Sequence, residues 1–385
     1  MDNDLENIDN ILKQLNQADS AFNHYETKIM KLKNLLEVTK IINSTLEEDK
    51  LAQIILYSCQ GQFLVQNATL ILLEDTDKGL FEDHLSIGLE KDKFEVKITK
   101  DSPLLKAFYS NPDDESKNLG KKAYFYSEIK KFFQNQGLDA LETDVFMPDV
   151  LAPLWGKNSL YGFLILGKKL DSTSFEREDL SYIFQFTELA AISIENAKLF
   201  EMAIMDRMTR LYNHQYFKNR LYEEMERSKR YQRTVSLMFF DIDHFKSFND
   251  TYGHQQGDIV LKATSGLIKT TVRKTDIPAR YGGEEFAVIL PETSVEEAFK
   301  VGEKIRKRIE AFEYPGQEKP LHVNISCGIA EFKATEDSIL TPTDFVEMSD
   351  QALYFSKKNG RNQVTIYTDE IPEKLKNMKE ENPGH

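Results

Sequence analysis

The segment RYGGEEF, residues 280–286, joins two short apolar runs. Apolar runs around a glycine pair predict a β-hairpin, in which Gly282 and Gly283 supply the positive φ angles that a tight turn needs. Glu284 and Glu285 are then presented side by side at the turn. The segment therefore predicts a hairpin that places two carboxylates at one edge of a sheet.

A second acidic position precedes this hairpin in the chain. In TVSLMFFDIDHFKSFNDTYGHQQGDIVL, the apolar run from Val235 to Phe240 predicts a strand that ends in Asp241 and Asp243. If the strand and the hairpin are neighbours, Asp241, Glu284 and Glu285 approach one another. Without a cation such carboxylates repel and raise each other's pKa, so the cluster predicts a hard divalent metal. The alternative is that each acid is a solvated turn residue.

The chemistry of such a site points to phosphate transfer. Magnesium binds few protein carboxylates and shares its remaining positions with phosphate oxygens, which indicates a nucleoside triphosphate. Two metals a few ångströms apart suit phosphoryl or nucleotidyl transfer. A further strand in HVNISCGIAEF (322–332) and a helix over 344–358 complete an α/β sandwich.

RYGGEEF together with FFDIDHFKSFNDTYGHQQGD (239–258) resembles the GGDEF family of diguanylate cyclases, whose signature accepts glutamate at its third position. The resemblance covers residues 206 to about 368. It implies a palm-like fold and the joining of two GTP molecules into cyclic di-GMP, with release of two pyrophosphates. Because product forms between two sites, it also implies a homodimer.

The resemblance assigns roles at the acidic positions. Asp241, Glu284 and the carbonyl of Ile242 would hold two magnesium ions per active site, with manganese as an alternative ion, and Glu285 would complete the cluster. Glu284 would also assist deprotonation of the attacking 3′-hydroxyl. The two glycines would let GTP approach the turn.

Further family positions would bind substrate and product. Asn249 and Asp258 would recognise guanine, while the phosphate-binding positions are Lys246, Lys357 and Arg361. RKTD, Arg273 to Asp276, matches the RxxD site through which cyclic di-GMP inhibits such enzymes. For RxxD, and for each of the three cations, an ordinary exposed side chain is the alternative.

Two departures from the family pattern, Met208 and His214, lie outside the metal and guanine positions. No phosphodiesterase sequence accompanies the domain. Two alternatives to a diguanylate cyclase stay open: a catalytically silent receptor for GTP or cyclic di-GMP, and a cyclase that makes another dinucleotide. Asp258 favours guanine over adenine, because adenine would leave buried polar groups unpaired.

The N-terminal 46 residues predict a long helix with a 3.5-residue apolar repeat, which is typical of a coiled coil. The alternative is an amphipathic helix that packs on its own domain. The repeat consists of Ile8, Ile11, Leu15, Ala18, Phe22, Tyr25, Ile29, Leu32 and Leu36.

Residues 51–169 predict a mixed α/β domain with a central antiparallel sheet, followed by a continuous connector helix over 175–208. Over about residues 30–200, the helix before the sheet, the hairpin LAPLWGKNSLYGFLILG and the closing helix resemble a GAF sensory domain. The resemblance implies a small-molecule ligand, and a cyclic nucleotide is the expected one. A ligand-free dimer module is the alternative.

Cys59 is expected to be a buried apolar residue rather than a bilin attachment point, and His84 a solvated loop residue rather than a haem ligand.

Composition sets the broad class of this mixed α/β (α+β) protein. The net charge of −14 argues against nucleic acid as the main partner, because phosphate backbones attract basic surfaces. Two distant cysteines argue against disulfides and zinc clusters. With no signal peptide and no apolar run long enough to span a bilayer, we expect a cytoplasmic protein without a membrane contact. Residues 369–385 are expected to form a flexible tail.

Overall fold

The computed structural model describes residues 2–72, 80–81, 84–89, 98–99, 102–109, 119–135, 148–157, 159–316, 319–333 and 340–381. The chain divides into two compact units, Met1–Glu201 and Met202–His385. Within the described residues, no helix has the length and apolar character needed to cross a membrane.

The first unit is built around a five-stranded antiparallel sheet with strand order β3-β1-β7-β6-β5, and a separate pair is formed by β2 and β4. Its helices are α1 (Asp2–Asn43), α2 (Glu48–Phe63), α3 (Pro103–Tyr109), α4 (Tyr126–Gln134) and most of α5 (Arg177–Ile204). Its strands are β1 (Ala68–Leu72), β2 (Leu80–Phe81), β3 (His84–Ile87), β4 (Ile98–Thr99), β5 (Tyr124–Phe125), β6 (Val150–Trp155) and β7 (Leu160–Leu166).

Both faces of this sheet are covered, which explains why its strands are apolar along their whole length. One core contains side chains of α1, α2 and α5, such as Ile42, Ile55 and Phe186. The other contains side chains of α3 and α4, such as Phe108 and Phe133. The antiparallel sheet predicted for this region is confirmed.

Cys59 and His84 are the two residues that the sequence offers as cofactor attachment points, and the structure describes the side chain of the cysteine alone. Cys59 is fully buried in α2, and this burial raises the pKa of its thiol, so the prediction of a buried apolar residue is confirmed. His84 begins β3, and its side chain lies outside the described residues.

Helix α1 has two different apolar faces over its described side chains. Leu35, Val38 and Ile42 pack into the first core. The coiled-coil positions with described side chains instead face solvent, with exposed fractions from 54% to 64%. We call these residues the exposed seam: Phe22, Tyr25, Ile29, Leu32 and Leu36.

The second unit contains a five-stranded sheet with strand order β12-β11-β8-β10-β9, antiparallel except between β11 and β12. Its helices are α6 (His214–Tyr231), α7 (Phe245–Tyr252), α8 (His254–Thr271), α9 (Val295–Glu310), α10 (Pro342–Lys358) and α11 (Ile371–Glu381). Its strands are β8 (Thr234–Ile242), β9 (Ile277–Gly282), β10 (Glu285–Pro291), β11 (Ile325–Lys333) and β12 (Val364–Ile366).

The central strand β8 has side chains in two cores. Leu237 and Phe239 pack with α6 and α10, whereas Met238 and Phe240 pack with α8 and α9. This alternation with a period of two gives the near-continuous apolar run of the sequence. It also fixes which way Asp241 points, because Asp241 shares the face of Phe239.

Two sequence-based expectations need correction. The expected flexible tail contains helix α11, which is held because Ile371 and Leu375 bury their side chains with Ala352 of α10. The connector helix ends at Ile204 rather than at residue 208, because the carboxylate of Asp206 binds the backbone N–H and the hydroxyl of Thr209 in a turn.

Candidate active site

The acids predicted from the sequence meet at the end of β8. Asp241 is buried, and it lies directly opposite Glu285 in the antiparallel register of β8 and β10. Glu284 is the turn residue just before Glu285, and its carbonyl accepts a 3.4 Å hydrogen bond from the backbone N–H of Ile242. The hairpin and the strand are therefore neighbours, as predicted.

The turn itself differs from the prediction at one glycine. Only Gly283 has a positive φ, of 34°, whereas Gly282 is the last residue of β9 and does not have one. The register shifts between Glu285 and Phe286, so an irregular hairpin replaces the expected tight turn of two left-handed residues. A Cβ at Gly283 would meet nothing within 4 Å, which leaves the turn open on that side.

The pKa values of the three acids are all raised. Burial is the largest cause of the raised pKa values of Asp241, Glu284 and Glu285. Repulsion from Asp241 further raises the pKa of both glutamates, while Lys357 opposes the shift. A carboxylate cluster with raised pKa values is one that a bound cation stabilises.

The donor set fits a small hard cation. Among the described residues, no group of three or more His, Cys, Asp or Glu side chains is arranged to hold a metal. The predicted set needs only two side chains, Asp241 and Glu284, with the carbonyl of Ile242. Magnesium usually binds only a few protein ligands, because it retains waters and binds substrate oxygens.

Helix α10 brings a cation and an unpredicted acid to this cluster. Lys357 Nζ lies 2.8 Å from Asp241 Oδ2. Asp350, two helical turns earlier, adds repulsion that raises the pKa of both Asp241 and Glu285. The seven-residue spacing of Asp350 and Lys357 is the signal that could have shown that they share one helix face.

The predicted guanine-binding residues lie on α7 and α8. Asn249 is half-buried, and its side-chain Oδ1 has no hydrogen-bond partner in the described part of the chain. Asp258 is half-buried in the second turn of α8. Between them in sequence, Gly257 is buried so closely against Asn249 that a Cβ would lie 1.9 Å from Asn249 Oδ1.

Replacement of Gly257 by alanine is expected to displace the Asn249 amide. If Asn249 binds guanine as predicted, Gly257→Ala should raise the KM for GTP roughly tenfold, because the hydrogen bond expected of Asn249 would be lost. Steady-state kinetics measure this change. Gly266→Ala is the matched control in the same helix, since nothing lies within 4 Å of its Cβ and alanine favours the helix. A normal KM for Gly257→Ala would contradict the assignment of Asn249.

The other predicted cations are exposed. Lys246 lies in the first turn of α7. Arg361 follows α10 in a turn where Gly360, Arg361 and Asn362 all have positive φ. The turn thus presents the Arg361 side chain at the surface.

The RxxD residues form one turn between α8 and β9. Asp276 is buried, and its Oδ2 accepts a 2.7 Å hydrogen bond from the backbone N–H of Arg273. Its Oδ1 has no partner among the described residues. The Arg273 side chain is exposed, whereas this Asp276 oxygen is buried, so of the two residues only the arginine is accessible at the surface.

The sequence did not predict the contacts that stabilise the turn of Gly282, Gly283 and Glu284, which we call the signature turn. Arg280 Nη2 donates a 2.7 Å hydrogen bond to the carbonyl of Gly283, and its Nη1 lies 3.2 Å from Asp206 Oδ1. Asn213 caps α6 through Tyr216 and also donates from its Nδ2 to the carbonyl of Ala203. The turn is therefore tied to the residues that end α5.

Comparisons with known proteins identify relatives of the chain. Residues 203–363 match the family model "Diguanylate cyclase, GGDEF domain". Diguanylate cyclase A of Treponema denticola is 36% identical over 363 residues, which cover 91% of this chain and 92% of that protein. The response regulator PleD of Caulobacter vibrioides is 36% identical over 166 residues, but these cover only 43% of this chain and 36% of PleD.

A solved structure is also similar over the second unit. The GGDEF domain of DgcB from Caulobacter crescentus, in complex with c-di-GMP, is 35% identical with a TM-score of 0.40. The match covers 43% of this chain and 93% of the DgcB domain.

Proposed function

Because the chain belongs to the GGDEF family of diguanylate cyclases, we propose that it joins two GTP molecules into cyclic di-GMP at the acids that end β8. The enzyme class is a nucleotidyltransferase. The observation that carries the proposal is the meeting of Asp241 with Glu284 and Glu285 beside Lys357.

Each bond is formed by the same displacement. The 3′-oxygen of one GTP attacks the α-phosphorus of the other, a P–O bond forms, and the bond to pyrophosphate breaks. Glu284 assists deprotonation of the attacking hydroxyl, a role that becomes favourable because a bound metal would lower the pKa of that hydroxyl. Lys357, Arg361 and Lys246 neutralise the charge of the departing pyrophosphate. The displacement occurs twice for each cyclic product.

Magnesium is the proposed cofactor, held by Asp241, Glu284 and the carbonyl of Ile242. When bound, it supplies positive charge to the phosphate oxygens and lowers the pKa of the attacking hydroxyl. Lys357 pairs with Asp241. Binding of a cation by this carboxylate would free the lysine to contact phosphate.

Guanine recognition is assigned to Asn249 and Asp258. A carboxylate accepts hydrogen bonds from the ring N–H and amino group of guanine, and adenine does not offer that pair of donors. Chromatography of products from an equimolar ATP and GTP mixture with Mg²⁺ tests both activity and specificity. We expect cyclic di-GMP alone. Intact GTP or a mixed dinucleotide would contradict the proposal.

A homodimer is part of the proposal, because each subunit supplies one half-site. The exposed seam of α1 supports it, since five apolar side chains at three- and four-residue spacing face solvent on a helix whose other face is already packed. A second copy of the same seam would bury them in a coiled coil.

We also propose that the first unit is a GAF-type sensory domain that binds a small ligand, with a cyclic nucleotide as first candidate. Its five-stranded antiparallel sheet, with helices on both faces, supports this identity. Helix α5 leaves the first unit and ends at Ile204, close in sequence to the residues that hold the signature turn. A ligand-induced shift of α5 would thereby change the catalytic turn.

Product inhibition at the RxxD turn is the last element of the proposal. We expect Arg273→Ala to raise the concentration of cyclic di-GMP needed for half-inhibition by about tenfold or more, because a charge-assisted contact to phosphate is lost. Initial rates at increasing cyclic di-GMP measure it. Lys274→Ala removes an exposed cation from the same turn and is the control. Equal inhibition of both variants would contradict the assignment.

A further inference from the structure

Asp243, the first residue after β8, has a different environment from Asp241. It is buried, and both of its carboxylate oxygens accept hydrogen bonds. Oδ1 accepts from Ser326 Oγ at 2.7 Å, and Oδ2 accepts from the backbone N–H of Asn362 at 2.9 Å. Its own N–H donates to the carbonyl of Asn324. The carboxylate therefore joins the end of β8 to β11 and to the turn that follows α10.

The turn that Asp243 contacts has an unfavourable backbone conformation. Arg361 has a φ of 62° and Asn362 a φ of 45°, a left-handed backbone that asparagine tolerates but that is unfavourable for arginine. Such a turn persists only where its surroundings hold it.

The Asn362 side chain provides a second attachment. Its Oδ1 accepts from Arg306 Nη1 at 2.9 Å, and its Nδ2 donates to Glu310 Oε1 at 2.7 Å. Both partners belong to α9. The side chain is therefore bound by α9, while the backbone N–H is bound by Asp243 alone among the described hydrogen bonds.

We propose that Asp243 is a positioning residue for the triphosphate end of the substrate, acting through the turn that carries Arg361. This inference rests on the proposed function, in which Arg361 binds phosphate. The Arg361 guanidinium is exposed and has no ion pair among the described residues, so the backbone of the turn decides where it points. Asp243 fixes that backbone relative to β8, the strand that ends in Asp241.

The alternative role for Asp243 is that of a metal ligand two residues from Asp241. The two roles predict different outcomes for an amide at this position. Asparagine can accept from Asn362 through Oδ1 and donate to the Ser326 hydroxyl, which can act as an acceptor. The amide would thus keep the turn in place, but it would be a poor replacement for a carboxylate that binds magnesium.

The test compares Asp243→Ala with Asp243→Asn in the full chain, by GTP kinetics and Mg²⁺ titration. We expect alanine to raise the KM for GTP about tenfold, since the phosphate contact is misplaced, and asparagine to stay within about threefold of wild type. The Mg²⁺ midpoint should move less than about threefold in both, because Asp243 affects Asp241 only through space. In an Arg361→Ala background the effect of Asp243→Ala should disappear.

Two results would overturn the inference: an asparagine variant as impaired as alanine with a raised Mg²⁺ midpoint, or additive effects of Asp243→Ala and Arg361→Ala. Should the alanine variant fail to fold, the asparagine variant decides by its KM and Mg²⁺ midpoint. Binding of a non-hydrolysable GTP analogue to the same variants separates this inference from the proposed function. If the wild type binds the analogue but forms no product, the proposed function alone is refuted.

Discussion

The variant Asp241→Asn is expected to lower kcat/KM for GTP by roughly a thousandfold, because a carboxylate that holds the metal contributes several kcal/mol to transition-state charge stabilisation. Asp241 is buried, lies opposite Glu285, and is paired with Lys357. Glu284→Gln should cause a loss of similar size. Initial rates of pyrophosphate release measure both.

Thermal unfolding separates this loss from misfolding. The pKa of Asp241 is raised in the folded state, mainly by burial, so its ionised form opposes folding above that pKa. Without metal, Asp241→Asn should therefore unfold at the wild-type temperature or higher. Added Mg²⁺ should stabilise wild type and leave the variant unchanged. Glu313→Gln, an exposed carboxylate after α9, is the control. Near-normal activity in Asp241→Asn would refute the metal site.

Disruption of the exposed seam is expected to cause the second large loss. The double variant Ile29→Glu, Leu36→Glu would place four carboxylates in the interface of two helices, and burial of unpaired charge is strongly unfavourable. At low enzyme concentration we expect specific activity to fall about a hundredfold or more, because monomers carry only half-sites. Rates measured over a range of enzyme concentrations, with sedimentation of the same samples, test this.

The matched control adds the same charges on another face of α1. Thr27 and Asn34 are exposed and also seven residues apart, but they lie off the seam. Thr27→Glu, Asn34→Glu should remain dimeric and active. Monomers of the seam variant that keep full activity at every concentration would show that two half-sites are unnecessary.

The proposed catalytic acids could be located from the sequence because local patterns determine their positions. An apolar run over 235–240 ends just before Asp241, and a glycine pair defines the neighbouring hairpin. Antiparallel pairing of the two then brings Asp241 and Glu285 into register. In the sequence, the neighbourhood of the strand and the hairpin was a condition of the prediction, and the register of β8 and β10 fulfils it.

The supporting contacts could not be predicted, because they join residues far apart in the chain. Arg280 reaches Asp206 across 74 positions, and Asp243 reaches Asn362 across 119. Single-sequence patterns indicate which face a side chain occupies, but not which distant element packs there. Helix α11 was missed for the same reason, since its formation depends on burial of Ile371 and Leu375 against α10.

The role of α1 was ambiguous in the sequence for a physical reason. Packing on the first unit is observed for Leu35 and Val38, whereas Ile29 and Leu32 of the same helix are exposed and leave the coiled coil a prediction. A repeat of three- and four-residue spacings identifies one apolar face of a helix. It does not distinguish that face from an adjacent apolar face that packs on the core.

Mixed dimers test most directly whether product forms between two half-sites. One wild-type subunit and one Asp241→Asn subunit, carrying different affinity tags, are co-expressed and isolated by two successive purifications. Because each phosphodiester bond needs its own metal-bearing half-site, we predict that formation of cyclic di-GMP falls to background and that a linear dinucleotide accumulates at most. Cyclic product at about half the wild-type rate would contradict the two-half-site mechanism, since subunits would then act independently.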